Sequence, residues 1–262
     1  MNYSWIDELY LPPKYLASLV ILCAVLFSGG VKCEPLRLPS NNSQIQVIEN
    51  IISNYLKKNP EIIIEALEAM RNREKDARKL EQQKNIKKSR ELLLYDETSP
   101  VIGNPNGDIT IVEFFDYRCG YCKKVFSVIP ALLKHDKMLR FVFKELPILS
   151  KESEIAARAA LVVWNFHKKK YFQFHKALME TRSPLTEQNI LRIASKLKID
   201  TSLVREEMYT DKIDNILLQN QILAKKLGIQ GTPVFIIRDK IIPGAVDLLY
   251  IKKLISEIRK NV

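Results

Sequence analysis

Two cysteines three residues apart, Cys119 and Cys122, are the residues of this chain best placed to do chemistry. They stand in Cys-Gly-Tyr-Cys, where an apolar run (DITIVEFF, Asp108 to Phe115) gives way to a helical stretch from Tyr121 to Lys134. Unpaired N–H groups at a helix start favour negative charge. A thiol there loses its proton more readily and becomes a better populated nucleophile. Cys122 lies one turn further on, close enough to close a disulfide with almost no backbone movement. A C-x-x-C can also be half of a structural zinc site, but such sites want four ligands. No second C-x-x-C exists, and His135, His167 and His175 fall in helical segments without ligand spacing. The metal reading is set aside, and each histidine is read as a surface or core residue.

The elements that must position the pair follow from periodicity. The strand Asp108–Phe115 precedes the cysteines and the helix Tyr121–Lys134 follows them. LRFVF (Leu139 to Phe143) is a second strand. Residues from about Ser153 to Leu227 are helical, and Trp164, Phe166, Tyr171, Phe172 and Phe174 within them are assigned to the core. PVFIIR (Pro233 to Arg238) is a third strand, Lys240 to Ile242 a short fourth, and Leu248 to Ile258 a closing helix. A β-α-β unit, a helical block and a β-β-α unit make an α/β protein. Turn residues Pro100, Gly103, Pro105 and Gly107 mark where this part begins, near Asp96. Ahead of it, after a polar linker from Leu36 to Gln44, Ile45, Ile48, Ile52 and Tyr55 make one helical stripe. Asn59-Pro60 reads as the cap and first position of a second helix, with Ile63, Leu67 and Met70 on its apolar face. This arm has too little mass for a core of its own. It must pack on the main domain or on copies of itself.

The formal charge is +11, and nine Lys or Arg against three acids lie between Arg71 and Arg90. No recognition motif or basic–aromatic interleaving accompanies that run, so it is read as a solvated face and nucleic acid is not a partner. With four cysteines in 262 residues the chain is not a disulfide-stapled scaffold. Tyr15 to Val31 is an apolar run between Lys14 and Lys32, between the length of a signal-peptide core and of a membrane span. It implies export, as a signal peptide cleaved after Gly30 or Cys33, or as an anchor. Lys32 argues against a lipoprotein box at Cys33. Cys23 is a small hydrophobe inside the run.

The stretch GNPNGDITIVEFFDYRCGYCK (Gly103 to Lys123) resembles the active-site segment of DsbA-like thioredoxin-fold proteins. GIQGTPVFII (Gly228 to Ile237) resembles their cis-proline strand, and the helical block between resembles the insertion they carry. The resemblance covers about Asp96 to Val262. It implies a thioredoxin fold with an inserted helical domain. It also implies an exposed nucleophile at Cys119, a buried resolving thiol at Cys122, a cis bond at Thr232-Pro233 facing Cys119, and a buried proton acceptor at Glu113. IQVIENIISNYLKKNPEIIIEALEAMRNR (Ile45 to Arg73) resembles the oligomerisation region of ScsC-type and related α-proteobacterial DsbA-like proteins, which form trimers and act as disulfide isomerases. Family members that oxidise strongly carry Pro-His between the cysteines. Gly120-Tyr121 lacks that imidazole, which implies a less oxidising disulfide.

The expectation is therefore a periplasmic protein disulfide isomerase or reductase. Residues 1–33 form a signal or anchor, 34–95 a helical oligomerisation arm and charged linker, and 96–262 the catalytic domain, with its insertion at about 150–228. It needs no cofactor beyond the cysteine pair. Its partners are disulfide-bearing exported clients, a membrane redox partner and further copies of itself, a trimer by resemblance. The rivals are a monomeric dithiol oxidase and a non-enzymatic surface protein that binds copper or clients.

Overall fold

The computed structural model describes residues 42–260. The apolar run Tyr15–Val31, Cys23 and Cys33 lie outside the described residues. The chain divides into two compact units after Ala69.

In the N-terminal unit, α1 spans Asn42–Lys58 and α2, Glu61–Lys88, begins. Asn42 to Gln44, read above as linker, already form the first turn of α1. Asn59 does not cap α2 as expected. Its Nδ2 donates back to the Tyr55 carbonyl at 2.8 Å and closes α1 instead. No residue of α1 is buried, and Ile45, Ile48, Ile52 and Tyr55 stand exposed along it.

The second unit holds the rest of α2 and α3 (Arg90–Leu94), then a five-stranded mixed sheet in the order β1-β3-β2-β4-β5. The strands are β1 (Val101–Gly103), β2 (Ile109–Phe115), β3 (Leu139–Glu145), β4 (Val234–Ile237) and β5 (Lys240–Pro243). Only β2 and β3 run parallel. Between them lie α4 (Gly120–Phe126) and α5 (Val128–His135). A run of helices separates β3 from β4: α6 (Lys151–Phe166), α7 (Lys168–Glu180), α8 (Glu187–Lys196), α9 (Thr201–Glu207) and α10 (Asp211–Lys226). The chain closes on α11 (Leu248–Lys260). This is the thioredoxin arrangement with a helical insertion.

Three details differ from the sequence reading. The single helix expected over Tyr121–Lys134 is two, broken at Ser127. Pro130 has no N–H to give the carbonyl four residues back, so one ladder bond is missing there. The strand expected to end at Phe143 continues through Lys144 and Glu145, both buried. Edge strand β1 has three residues, too few to show an alternation.

Side chains alternate across the sheet. Ile111, Phe115, Phe141, Phe143, Phe235 and Ile237 join one core with α4 to α11. Val112, Phe114, Val142, Val234 and Ile236 join a second core, closed by Ile86, Leu93, Leu223 and Leu227. Gly103 ends β1 with φ +84°, and a Cβ there would stand 2.5 Å from the Leu139 carbonyl oxygen. Gly103→Ala is expected to cost at least about 2 kcal/mol, from left-handed strain plus a backbone collision. The urea midpoint of the variant checks it.

Candidate active site

β2 runs into the core and stops at Phe115. Four residues later Cys119 caps α4, with its Sγ accepting from the Cys122 N–H at 3.3 Å. As a thiol, Cys119 donates to the Thr232 carbonyl at 3.2 Å. The Thr232-Pro233 peptide is cis, and β4 begins at the next residue, Val234. The two sulfurs are not joined.

The expected exposed nucleophile is nearly buried. Cys119 is 6% exposed and Cys122 0%. Both belong to the core under α4, and Thr232 covers the first sulfur. Beside Gly120 and Gly231 a Cβ would meet nothing within 4 Å, so the backbone there borders open space. Burial pushes the Cys122 thiol far up, and the neighbouring Cys119 and Glu113 add to this, against an opposing Asp116 backbone hydrogen bond. The geometry gives a nearly buried first sulfur at the helix start and a fully buried second one.

Glu113 points into the core, not to solvent. Burial, then the charge of Cys119, pushes its carboxyl up to about 8. Among the described residues its Oε2 has no hydrogen-bond partner. A carboxyl that exchanges its proton near neutrality, electrostatically coupled to both cysteines, can take a proton from a buried thiol.

Sequence reasoning missed the polar group behind it. Tyr117 donates to Glu145 Oε1 at 3.2 Å and shares a 2.8 Å hydrogen bond with His175 Nδ1. Glu145 is raised well above the carboxylate range by burial, and burial lowers His175 to about 3. Glu113 pairs with Phe143, and Phe115 with Glu145, so both acids share one sheet face. Carrying the period of β3 two residues further would have found Glu145. His175 arrives from α7, and no local signal announces it.

A thioredoxin fold with a C-x-x-C at the first helix and a cis-proline loop beside it defines a dithiol–disulfide exchange protein. The DSBA-like thioredoxin domain matches residues 110–256, and the copper resistance protein ScsC N-terminal domain matches residues 44–77. Disulfide bond formation protein D of Bacillus subtilis (strain 168) is 30% identical over 173 residues, 62% of this chain and 78% of that protein. A thioredoxin-like oxidoreductase from Silicibacter pomeroyi DSS-3 is 38% identical, over 65% of this chain and 98% of that one, with a TM-score of 0.62. Proteus mirabilis ScsC in a transitional conformation is 29% identical, over 85% of this chain and 100% of that one, with a TM-score of 0.63. The chain belongs to the DsbA-like thioredoxin family, and its N-terminal helices match the ScsC N-terminal domain. It is a thiol–disulfide oxidoreductase.

Proposed function

We propose that the protein is a periplasmic disulfide isomerase or reductase that works as a homo-oligomer, a trimer by its likeness to ScsC-type proteins. The observation that carries this reading is α1, whose isoleucine stripe stands exposed with no residue of the helix buried among the described residues. An apolar helical stripe of this kind is covered by copies of itself in an oligomer. Residues 34–95 then serve as arm and linker, and 96–262 as the catalytic part. Export rests on the apolar run Tyr15–Val31. Among the described residues no helix is long and apolar enough to cross a membrane.

Cys119 thiolate attacks a client disulfide. One client sulfur bonds to Cys119 and the other leaves as a thiolate. A client thiolate can then displace Cys119, which isomerises the client and regenerates the Cys119 thiolate. Alternatively Cys122 gives its proton to Glu113 and attacks Cys119, releasing a reduced client and leaving the Cys119–Cys122 disulfide. A membrane reductase returns the pair to thiols. The Thr232 backbone lies beside Cys119, whose thiol donates to its carbonyl, and a client strand can pair there. No cofactor beyond the cysteine pair enters the cycle.

Reactivation of scrambled ribonuclease, run beside oxidation of reduced ribonuclease, tests the direction. Fast unscrambling with weak oxidation is expected, and Cys119→Ser should lose at least 10²-fold in unscrambling. A variant as fast as the wild type would sink the mechanism. The name of the Bacillus subtilis relative favours the rival reading, a dithiol oxidase, and fast oxidation without unscrambling would establish it. Light scattering tests the arm: the exported chain should be an oligomer, and the chain lacking residues 34–69 a monomer.

A further inference from the structure

β2 and β3 stop pairing at Phe115 and Glu145. One more rung follows, where the Leu146 N–H donates to the Phe115 carbonyl at 2.9 Å. The next N–H groups of that loop go to a side chain instead. Asp116 Oδ2 accepts from Ile148 at 2.9 Å and from Leu149 at 3.0 Å, and Oδ1 accepts from the Arg118 N–H at 2.6 Å. Asp116 is 1% exposed. Burying a carboxylate is costly without compensation, and these three main-chain donors supply it. Donors arriving from two directions need two acceptor oxygens. An asparagine has one, and would turn its own N–H₂ toward either Arg118 or the Ile148–Leu149 pair.

The backbone of Asp116 touches both cysteines. Its carbonyl accepts from the Cys119 N–H at 3.1 Å. Its N–H hydrogen-bonds the Cys122 sulfur and favours the thiolate there, against the burial that pushes this thiol far up. The peptide between Phe115 and Asp116 is therefore held at both ends. Leu146 grips its oxygen, and its N–H is aimed at Cys122 by a residue whose side chain is locked. The first sulfur draws on a different donor, since Cys119 Sγ accepts from the Cys122 N–H at 3.3 Å. The two half-reactions thus develop charge at sulfurs served by separate main-chain groups.

We propose that Asp116 is a positioning residue for the resolving step: its carboxylate, gripped by the N–H groups of Arg118, Ile148 and Leu149, fixes the peptide whose N–H faces the Cys122 sulfur. The inference rests on the thiol–disulfide reading above and deepens it. In that step Cys122 gives its proton to Glu113, and its sulfur bonds to the Cys119 sulfur. The client sulfur leaves with the electron pair as a thiolate, so the client is reduced and the cysteine pair oxidised. Charge passes through the Cys122 sulfur on the way. A donor already in place there needs no reorganisation at the moment of reaction, and a small displacement of it is felt strongly at the reacting atom.

The reduced full chain is tested against oxidised glutathione, with acid-quenched samples weighed over time by mass spectrometry. The reduced, glutathione-bound and internally oxidised forms give the rate of attack by Cys119 and the rate of release by Cys122. Asp116→Asn is expected to slow release at least about tenfold more than attack, so that the glutathione-bound form accumulates. Loss of the fold alone would slow both steps together. A second measurement needs no change at Asp116. The Asp116 amide proton resonance should move upfield in Cys122→Ala, and further than that of Arg118, because only the first loses its acceptor. An unchanged ratio of release to attack, equal slowing of both, or an Asp116 resonance that moves no more than that of Arg118 would overturn the proposal and leave the redox reading standing. A wild type that never binds glutathione would overturn that reading, and this one with it.

Discussion

Glu113→Gln is expected to slow the attack of Cys122 on a Cys119 mixed disulfide by about 10²-fold at pH 7, the range lost with a positioned proton acceptor. The same change is expected to stabilise the reduced fold by about 3 kcal/mol at pH 7. Both effects have one origin. Burial, then the charge of Cys119, pushes the Glu113 carboxyl up to about 8 from an ordinary 4.5. A carboxyl raised in the folded state favours folding fully below its unfolded value. Between pH 4.5 and about 8 the unfolded chain releases a proton that the native state keeps, and stability falls. Glutamine has no proton to release, so the variant should match the wild type near pH 4 and exceed it increasingly up to pH 8. Urea denaturation of the reduced proteins at several pH values measures this gap. Single-turnover release of a trapped client measures the rate, which in the wild type should climb toward pH 8 as Glu113 ionises. If Glu113→Gln keeps that climb, the proton goes elsewhere.

The second large effect is expected at Asp96→Asn, a loss of 3–5 kcal/mol, the cost of leaving a buried charge alone. Lys144, 1% exposed on the second core's side of β3, places its Nζ 2.6 Å from Asp96 Oδ2. Asp96 also accepts from Thr98 and Ser99, so it holds the turn that leads into β1. Burial raises the Asp96 carboxyl, but Lys144 and these hydrogen bonds outweigh it and hold it below the usual range. Its contribution is therefore present above pH 3.8 and lost as the pH falls below that. Lys144 is lowered, burial outweighing the attraction of Asp96. The partners shift stability in opposite senses, so the intact pair is worth less than breaking it costs. Lys144→Met added to Asp96→Asn should restore most of the loss. Chemical denaturation of the single and double variants decides this, and a double variant no better than the single would show that the turn, not the charge, carries the effect.

How much of this was legible in advance depends on how far apart the interacting residues lie. The C-x-x-C sits where β2 ends and α4 starts, and that junction is written locally, in an apolar run followed by a helical one. Thr232-Pro233 opens β4 in the same local way. Resemblance to family segments then joined two stretches that periodicity alone could not bring together. Glu113 was assigned as buried by that resemblance, because alternation says which residues share a face but not what covers it. Desolvation by helices from the insertion decides that Glu113 and Glu145 lie in a core, and only there does a carboxyl move toward neutrality. Lys144 lay just past the strand expected to end at Phe143 and proved to be a buried part of it, because Asp96 arrives from 48 positions away to neutralise it. Asp116 received no role from the sequence, and only the return of the chain at Ile148 and Leu149 brings N–H donors to its carboxylate. Local propensity and pattern set the elements and the nucleophile's place at a helix start. Burial, pairing and proton affinity follow from contacts across the tertiary fold, since each depends on which distant group excludes or replaces water.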